Sequence, residues 1–300
     1  MSKLLTNTYF NKRAMVLALT LGAVMISFSG VWVKLGHVSP TAAAFYRVLF
    51  GGVFLFLGSL WRREFRPVTR IQTGLVLFSG LIFSIDLVLF HLSIHYVGPG
   101  LGTILPNFQV FIMAAAGSLF LKEKLKATYL LSLPLAVVGL FFIVGTHWGQ
   151  LGAQYRIGIY AGLGTSFCYS GFLLSLRKLH EDSKTASLFY ILMLVSFAAA
   201  GFLAIEMRRT GDSFAIPDVQ TLLSLLALGI FSQGVGWILI SKALPHLHVS
   251  FSGLILLLQP ALAFVWDVVF FDRQTGWVNW IGVATVLCAI YLGIVGRKSA

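Results

Sequence analysis

The stretch VSFSGLILLLQPALAFVWDVVFF, from Val249 to Phe271, contains a single charged residue, Asp267, among mostly apolar ones. An α-helix needs about 20 mostly apolar residues to cross a hydrocarbon core of roughly 30 Å. The stretch is long enough and apolar enough to meet that requirement, so it predicts a membrane-spanning helix. The same pattern recurs along the chain on its amino-terminal and carboxyl-terminal sides.

Nine other stretches of the 300-residue chain have this character, and only short polar segments separate them. The composition is 58% hydrophobic and 11% charged, whereas a soluble domain is roughly 45 to 50% apolar. We therefore predict an all-α membrane protein with ten transmembrane helices. The first stretch is longer than a signal-peptide core and lacks a small-residue cleavage site, so we interpret it as a retained helix. The predicted spans are 14–35, 41–61, 71–95, 100–121, 128–145, 155–176, 185–206, 219–243, 249–271 and 277–296.

The distribution of charge predicts how these helices are oriented. The net charge is +12, but the basic residues lie at the ends of apolar stretches, whereas a nucleic-acid-binding protein clusters them on one face. With the amino terminus in the cytoplasm, sixteen of the 22 Lys and Arg residues fall in cytoplasmic segments, five fall outside, and Arg47 alone lies within a span. The positive-inside rule therefore predicts a multi-pass protein of the cell (inner) membrane with both termini in the cytoplasm.

The two sets of five spans resemble each other. TLGAVMISFSG at 20–30 aligns with AGLGTSFCYSG at 161–171, and in each set a short turn that contains an acid, Glu123 or Asp272, precedes the last span. Because five is an odd number, the second set must be inverted relative to the first. Inverted repeats recur in secondary transporters, where two exchangeable halves alternately open a central site to each side. The predicted fold is two inverted five-helix repeats, residues 14–145 and 155–296.

Three longer strings carry a family resemblance. GVWVKLGHVSPTAAAFYRVLF (30–50) resembles the first two spans of an EamA-type domain, in which a Ser-Pro turn precedes an arginine, here Arg47. HLSIHYVGPGLGTILPNFQVFIMAAAGSLFLKEKL (91–125) and ISKALPHLHVSFSGLILLLQPALAFVWDVVFFDRQT (240–275) look like that domain's passage from span 3 to span 4 in both copies. The chain thus resembles the ten-span branch of the drug/metabolite transporter superfamily over essentially its whole length. The resemblance implies export of small metabolites, amino acids or drugs, without selecting among them.

Polar side chains inside the predicted spans are candidate binding residues. An ionisable side chain in a bilayer costs about 2.5 to 3.5 kcal/mol on insertion scales, so each needs a partner or a hydrated cavity. Tryptophans near these residues offer an aromatic wall or a cation-π surface. The substrate-binding candidates are Arg47, Asp86, His91, Asn107, Gln109, Gln233, Trp237, Gln259 and Trp266.

Several of these residues have two interpretations. Arg47 has either a structural role, in which its guanidinium reaches the outer interface or pairs with a helix end, or a binding role. In the second case the planar guanidinium binds a substrate carboxylate or phosphate. Asp86 either carries a proton for coupled transport or forms a buried pair with Arg47. His91 fits a polar pore-lining or packing role better than a position beside Asp86, because their spacing does not place both on one helix face.

Two prolines and two acidic residues have expected structural roles. Pro106 and Pro260 each remove a backbone hydrogen bond, so we expect kinks in their helices, either where a binding site forms or as plain packing kinks. Glu123 and Asp272, which the inversion places on opposite membrane faces, are better suited to fixing a turn or capping a helix than to touching substrate.

The leading functional hypothesis is a secondary exporter. The sequence has no Gly-x-x-x-x-Gly-Lys-Ser/Thr loop, so ATP does not drive transport within this chain. Proton coupling and downhill exchange are the alternatives. A rival hypothesis is a membrane enzyme acting on lipid or isoprenoid substrates, but such enzymes use clustered carboxylates or a His and Glu metal set, and none is apparent. We expect no cofactor and no metal, and as partners a small-molecule substrate and membrane lipids, in a monomer or homodimer.

Overall fold

The computed structural model describes residues 2–65, 68–144, 153–181, 187–272 and 274–295. Within these ranges the chain forms helices and short connections, and none of the described residues is in a β-strand. The α-helices are α1 (Ser2–Ser27), α2 (Ser29–Leu35), α3 (Pro40–Trp61), α4 (Arg70–Ile104), α5 (Gln109–Leu119), α6 (Ala127–Val144), α7 (Ala153–Glu181), α8 (Leu188–Thr210), α9 (Val219–Ala227), α10 (Trp237–Ala243), α11 (Val249–Leu256), α12 (Leu258–Phe271) and α13 (Trp277–Val295). A π-helical segment (Leu228–Gly236) joins α9 to α10, and 3-10 turns occupy Leu105–Phe108 and Leu244–His246.

These elements account for the ten predicted spans. Among the described residues, 7 helical stretches are long and apolar enough to cross a membrane. Three shorter apolar helices, Leu105–Leu119, Ala127–Ile143 and Trp277–Gly293, complete the set. The all-α membrane fold predicted from hydropathy is therefore confirmed.

The boundary between spans 3 and 4 differs from the sequence prediction. The predicted break between residues 95 and 100 is wrong, because α4 continues to Ile104. The helix ends instead at the 3-10 turn that contains Pro106, whose nitrogen has no hydrogen to donate. Span 9 is divided in the same manner, with a turn at Leu257 shortly before Pro260. The helices are therefore interrupted near both prolines, where the sequence predicted kinks.

Contacts between the two halves of the chain occur at both ends of the bundle. At one end, Lys34 Nζ lies 2.8 Å from Asp267 Oδ1, and His37 Nδ1 lies 2.8 Å from Asp218 Oδ2. Asp218 also caps α9 by accepting a hydrogen bond from Thr221 N. The hydrogen bond with His37, followed by the one from Thr221, lowers the pKa of the Asp218 carboxyl. These residues all belong to segments that the charge pattern assigns to the outside.

At the opposite end, different segments meet. Glu123 contacts the start of α11 at Val249 and Ser250, and Arg177 Nη1 donates a hydrogen bond of 2.7 Å to Leu247 O. All of these residues belong to segments that the charge pattern assigns to the cytoplasm. The segregation of the two sets of contacts agrees with the predicted direction of the helices.

A close crossing between α3 and the π-helical segment holds the middle of the bundle. A Cβ added at Gly229 would lie 2.6 Å from Phe50 Cβ and 2.9 Å from Gly51 N. A backbone nitrogen cannot move aside as a flexible side chain can, so only glycine permits this approach. The crossing brings residue 47 of α3 and residue 233 of the π-helical segment to the same level.

We predict that Gly229→Ala lowers the free energy of unfolding by about 1 to 3 kcal/mol, the usual cost of overpacking. Chemical unfolding of the purified protein in detergent, followed by circular dichroism, measures the change. Gly201→Ala on α8 is the matched control, because no atom lies within 4 Å of its added Cβ. Equal stability of the two variants would contradict the crossing described here.

Candidate functional site

Arg47 is the centre of a polar network between three helices. It lies in the amino-terminal half of α3 and is half-buried. Its Nε donates a hydrogen bond of 3.3 Å to Gln233 Oε1, and Gln233 Nε2 donates one of 3.1 Å to Ser196 Oγ. The network thus joins α3, the π-helical segment and α8. A π-helical turn offsets the side chains that follow it, and such turns are frequent at functional sites.

The remaining surface of the Arg47 guanidinium faces an aromatic ring and donates no further hydrogen bond. Its Cζ lies 5.8 Å from the centroid of the Phe83 ring, within cation-π range. Among the described residues, the bond from Nε to Gln233 is its one hydrogen bond. The four N–H bonds on the terminal nitrogens are therefore available to a ligand.

Four aromatic side chains from both halves of the chain form a cluster next to Arg47. Phe83 stacks on Phe172 with ring centroids 4.3 Å apart. Trp237 contacts Phe172 edge-on at 4.8 Å and Phe83 at 5.9 Å, and Tyr169 contacts Trp237 at 6.3 Å. Trp237 is only 1% exposed, and none of the described residues accepts a hydrogen bond from its Nε1. The cluster therefore presents an unused N–H donor as well as apolar faces.

Asp86 lies on α4, close to the same cluster. Its side chain is buried, with 6% of its surface exposed, and Oδ1 has no hydrogen-bond partner among the described residues. The carboxylate lies within electrostatic range of Arg47 and Tyr169, yet no ion pair within 4.0 Å joins it to the guanidinium. The arginine and the carboxylate are therefore neighbours without direct contact, and the buried pair that the sequence offered as one interpretation is not formed.

Gln259 reaches the cluster from α12. Its Nε2 donates a hydrogen bond of 3.3 Å to the hydroxyl of Tyr169. The structure therefore brings together a subset of the candidates named from the sequence, although they lie on four different spans. That subset is Arg47, Asp86, Gln233, Trp237 and Gln259.

The family relationship follows from comparison of the whole chain. The model of the EamA-like transporter family matches residues 13–145 and again residues 156–295. The chain belongs to the EamA-like transporter family. It is therefore a multi-pass membrane transporter, as the resemblance of residues 30–50, 91–125 and 240–275 predicted.

Relatives of similar length carry the same general description. A Haemophilus influenzae protein named uncharacterized transporter is 21% identical, over 95% of this chain and 94% of its own length. An Archaeoglobus fulgidus protein with the same name is 22% identical, over 92% of this chain and 94% of its own length. A solved crystal structure at 14% identity superposes with a TM-score of 0.81 and covers 94% of this chain and 98% of that chain, which supports the fold.

Two predicted site residues of the transporter serve other contacts. Trp266 Nε1 donates a hydrogen bond of 2.8 Å to Ser27 Oγ, and its ring stacks on Phe28 at 4.3 Å. Gln109 is buried, and its Nε2 donates a hydrogen bond of 3.1 Å to Gly253 O. Trp266 thus joins span 9 to span 1, and Gln109 joins span 4 to span 9.

The last two predicted residues lie on the α4 to α5 passage. His91 is half-buried, its Nδ1 has no hydrogen-bond partner among the described residues, and it lies within electrostatic range of Asp212. Asn107 is half-buried in the 3-10 turn Leu105–Phe108. The part of both residues in binding stays a prediction.

Sequence reasoning missed four members of the transporter's site. Phe83 lies three residues before Asp86 in α4, and Tyr169 lies three before Phe172 in α7. This spacing places each pair on one helix face and could have identified them. Ser196 has no such signal, because a lone serine in an apolar span is common and its partner is 37 residues away.

We predict that Gln233→Leu lowers the free energy of unfolding by about 1 to 3 kcal/mol, because it leaves the buried Arg47 Nε without an acceptor. Gln220→Leu is the matched control, since Gln220 is exposed and its side chain bonds to Leu35 O at the surface. We expect that control to stay within about 0.5 kcal/mol of the wild type. Unfolding in detergent measures both, and an equal effect would contradict the central role of Gln233.

Proposed function

We propose that this protein is a secondary transporter of the cell's inner membrane that exports small zwitterionic metabolites, such as amino acids, by alternating access. The observation that carries the proposal is the pair of ionisable groups, Arg47 and Asp86, that lie beside one aromatic cluster without direct contact. Both groups have unused hydrogen-bonding atoms. Because an ionisable group is costly in a bilayer, the presence of two that are not joined directly favours a functional role.

One side of the site suits an anionic group. The terminal N–H groups of Arg47 match the geometry of a carboxylate or phosphate. Trp237 contacts the same Phe83 ring over which Arg47 lies, and its buried Nε1 is a further donor. A substrate carboxylate placed between them would satisfy both groups at once.

The other side suits a cationic group. Asp86 offers a carboxylate oxygen without a donor, and the rings of Phe172 and Tyr169 provide electron-rich faces nearby. A substrate that carried both charges would neutralise Arg47 and Asp86 together, whereas a simple anion or cation would leave one of them uncompensated. The aromatic faces favour an apolar or aromatic side chain on the substrate.

The placement of the site supports alternating access. Phe83, Asp86 and Arg47 come from the first half of the chain, whereas Tyr169, Phe172, Gln233 and Trp237 come from the second. If the halves are inverted repeats, as the odd span count predicts, rocking one against the other would expose the site to each side in turn. The positive-inside rule predicts that both termini are cytoplasmic. An exported substrate would then enter the site while the site is open to the cytoplasm. One chain supplies all of these residues, so a monomer suffices for binding.

The rival enzyme hypothesis lacks an observation in its favour. It requires paired intramembrane carboxylates, but Asp267 pairs with Lys34 at the outer end, whereas Asp86 lies beside the Arg47 cluster. Membership of a transporter family points the same way.

The direct test is counterflow into proteoliposomes. We predict that vesicles preloaded with phenylalanine accumulate labelled phenylalanine, whereas its methyl ester, which keeps only the ammonium group, and its N-acetyl derivative, which keeps only the carboxylate, fail to exchange. Exchange of the methyl ester, or of the N-acetyl derivative, would contradict the proposal that the substrate must carry both charges. Absence of flux for a broad panel of amino acids and drugs would overturn the proposed transport function itself.

Trp237→Phe sharpens this test, because it keeps the ring and removes the N–H donor. We expect the KM for phenylalanine to rise about tenfold, the equivalent of one hydrogen bond to a charged group. Trp280→Phe is the matched control, since Trp280 is exposed on α13 and its Nε1 bonds to Thr275 Oγ1. An unchanged KM in Trp237→Phe would show that the indole N–H does not bind the substrate.

Asp86 is also the proposed carrier of a coupling proton when the site is empty, because a carboxylate buried in the membrane can exchange a proton for a substrate cation. We predict that Asp86→Asn abolishes uphill export driven by a proton gradient and spares exchange between equal substrate pools. Vesicles with an imposed pH gradient measure the first, and counterflow measures the second. Unchanged uphill transport would exclude Asp86 from coupling and favour downhill exchange.

A further inference from the structure

The turn between α5 and α6 is shaped so that Glu123 points toward the second half of the chain. Lys122 adopts a left-handed backbone with φ 53, and Glu123 N donates a hydrogen bond of 2.9 Å to Gly117 O. A Cβ at Gly117 would lie 2.5 Å from Glu123 Oε2. Glycine at that position therefore lets the carboxylate fold back over the end of α5.

The Glu123 carboxylate binds the first turn of α11. Oε1 accepts a hydrogen bond of 2.7 Å from Val249 N, and Oε2 accepts bonds of 3.2 Å from Ser250 N and 2.6 Å from Ser250 Oγ. The first N–H groups of a helix have no partner within the helix and attract negative charge. The Glu123 side chain is only 6% exposed, so water does not readily replace these bonds.

A second residue from the first half holds the same helix end. The hydroxyl of Tyr129, a buried residue of α6, donates a hydrogen bond of 2.9 Å to Ser250 O. His248 Nδ1 lies 3.7 Å from Glu123 Oε1 and is exposed on the other side of the carboxylate. The start of span 9 is thereby fixed to the turn and helix that follow span 4.

The opposite end of span 9 meets the first half through other groups. Trp266 bonds to Ser27 and stacks on Phe28, and Asp267 forms an ion pair with Lys34, the two side chains being 25% and 49% exposed. Exposed ion pairs contribute little because water and salt compete with them. Removing one partner of a buried, hydrogen-bonded charge has a much larger effect. Loss of the Glu123 carboxylate is therefore expected to release its end of span 9 more than loss of the exposed ion pair would release the other end.

We propose that Glu123 is the latch of the cytoplasmic gate: its hydrogen bonds to Val249 and Ser250 close the route from the cytoplasm to the Arg47 cluster. Release of α11 from Glu123 opens that route. The proposal rests on the alternating access proposed above, but its test needs no substrate, so a failed flux assay and a failed latch are distinguishable.

The native cysteines allow the test. Cys168 is half-buried on α7 next to Tyr169 of the site, whereas Cys288 is exposed on α13. In a Cys288→Ala background, a charged thiol reagent that cannot cross the membrane reports access to Cys168 from either side. Inverted vesicles present the cytoplasmic side, and right-side-out vesicles present the outer side.

Glu123→Ala is expected to raise the rate of Cys168 modification from the cytoplasmic side at least about tenfold and to lower the rate from outside, as a two-state shift requires. Ser250→Ala, which removes one of the three donors, is expected to shift both rates in the same directions by less. Glu206→Gln is the matched control, because Glu206 pairs with Arg209 of its own helix, and it should leave both rates unchanged.

Two results would overturn the latch. One is an unchanged cytoplasmic rate in Glu123→Ala protein that elutes as a single species from size exclusion. The other is an equal rise from both sides, which would indicate general loosening. If Glu123→Ala does not fold, Ser250→Ala decides the question, because it removes only a hydroxyl. An unchanged rate of Cys168 modification from the cytoplasmic side in Ser250→Ala then counts against the latch.

Discussion

A guanidinium within a bilayer must obtain hydrogen bonds and electron-rich surfaces from the protein, because hydrocarbon supplies neither. Arg47 obtains them from Gln233 and from the ring of Phe83. Gln233 can reach it because Gly51 and Gly229 let α3 and the π-helical segment approach closely. Accommodating this one charge therefore depends on the glycine crossing, the π-helical turn and the aromatic cluster. The N–H groups of Arg47 that do not bond to Gln233 suit the site to an anionic ligand.

The two halves share a pattern of helices but have diverged at the residues of the site. When the second half of the sequence is aligned with the first by a gapless shift of 149 positions, Gln233 aligns with Ser84, and Val235 aligns with Asp86. The turns after spans 4 and 9 also differ. In the first, Glu123 follows a left-handed residue and reaches the other half; in the second, Asp272 itself is left-handed and ends α12. A repeat of the backbone thus supports a site in which each half supplies different chemistry.

The relatives at 21% and 22% identity cover nearly the whole chain, which fits conservation of the helical frame. A frame of this kind is maintained by hydropathy and small residues at helix crossings, and many sequences satisfy those requirements. In the function proposed above, substrate choice depends instead on a few side chains in the centre.

The sequence by itself determined the number of helices and the internal repeat, because hydropathy acts on each segment locally. Its charge pattern predicts the direction of the helices across the membrane. It also identified Arg47, Asp86 and Gln233 as polar residues whose placement in the membrane costs free energy and requires a partner or a hydrated cavity. Only the tertiary structure decided which of them meet. The contact of Arg47 with Gln233 spans 186 positions, and it depends on how each helix is rotated about its axis and on which glycines permit close approach. The same packing turned Trp266 toward Ser27 and brought Tyr169 to Gln259, and no local pattern in either span encodes which partner the side chain meets.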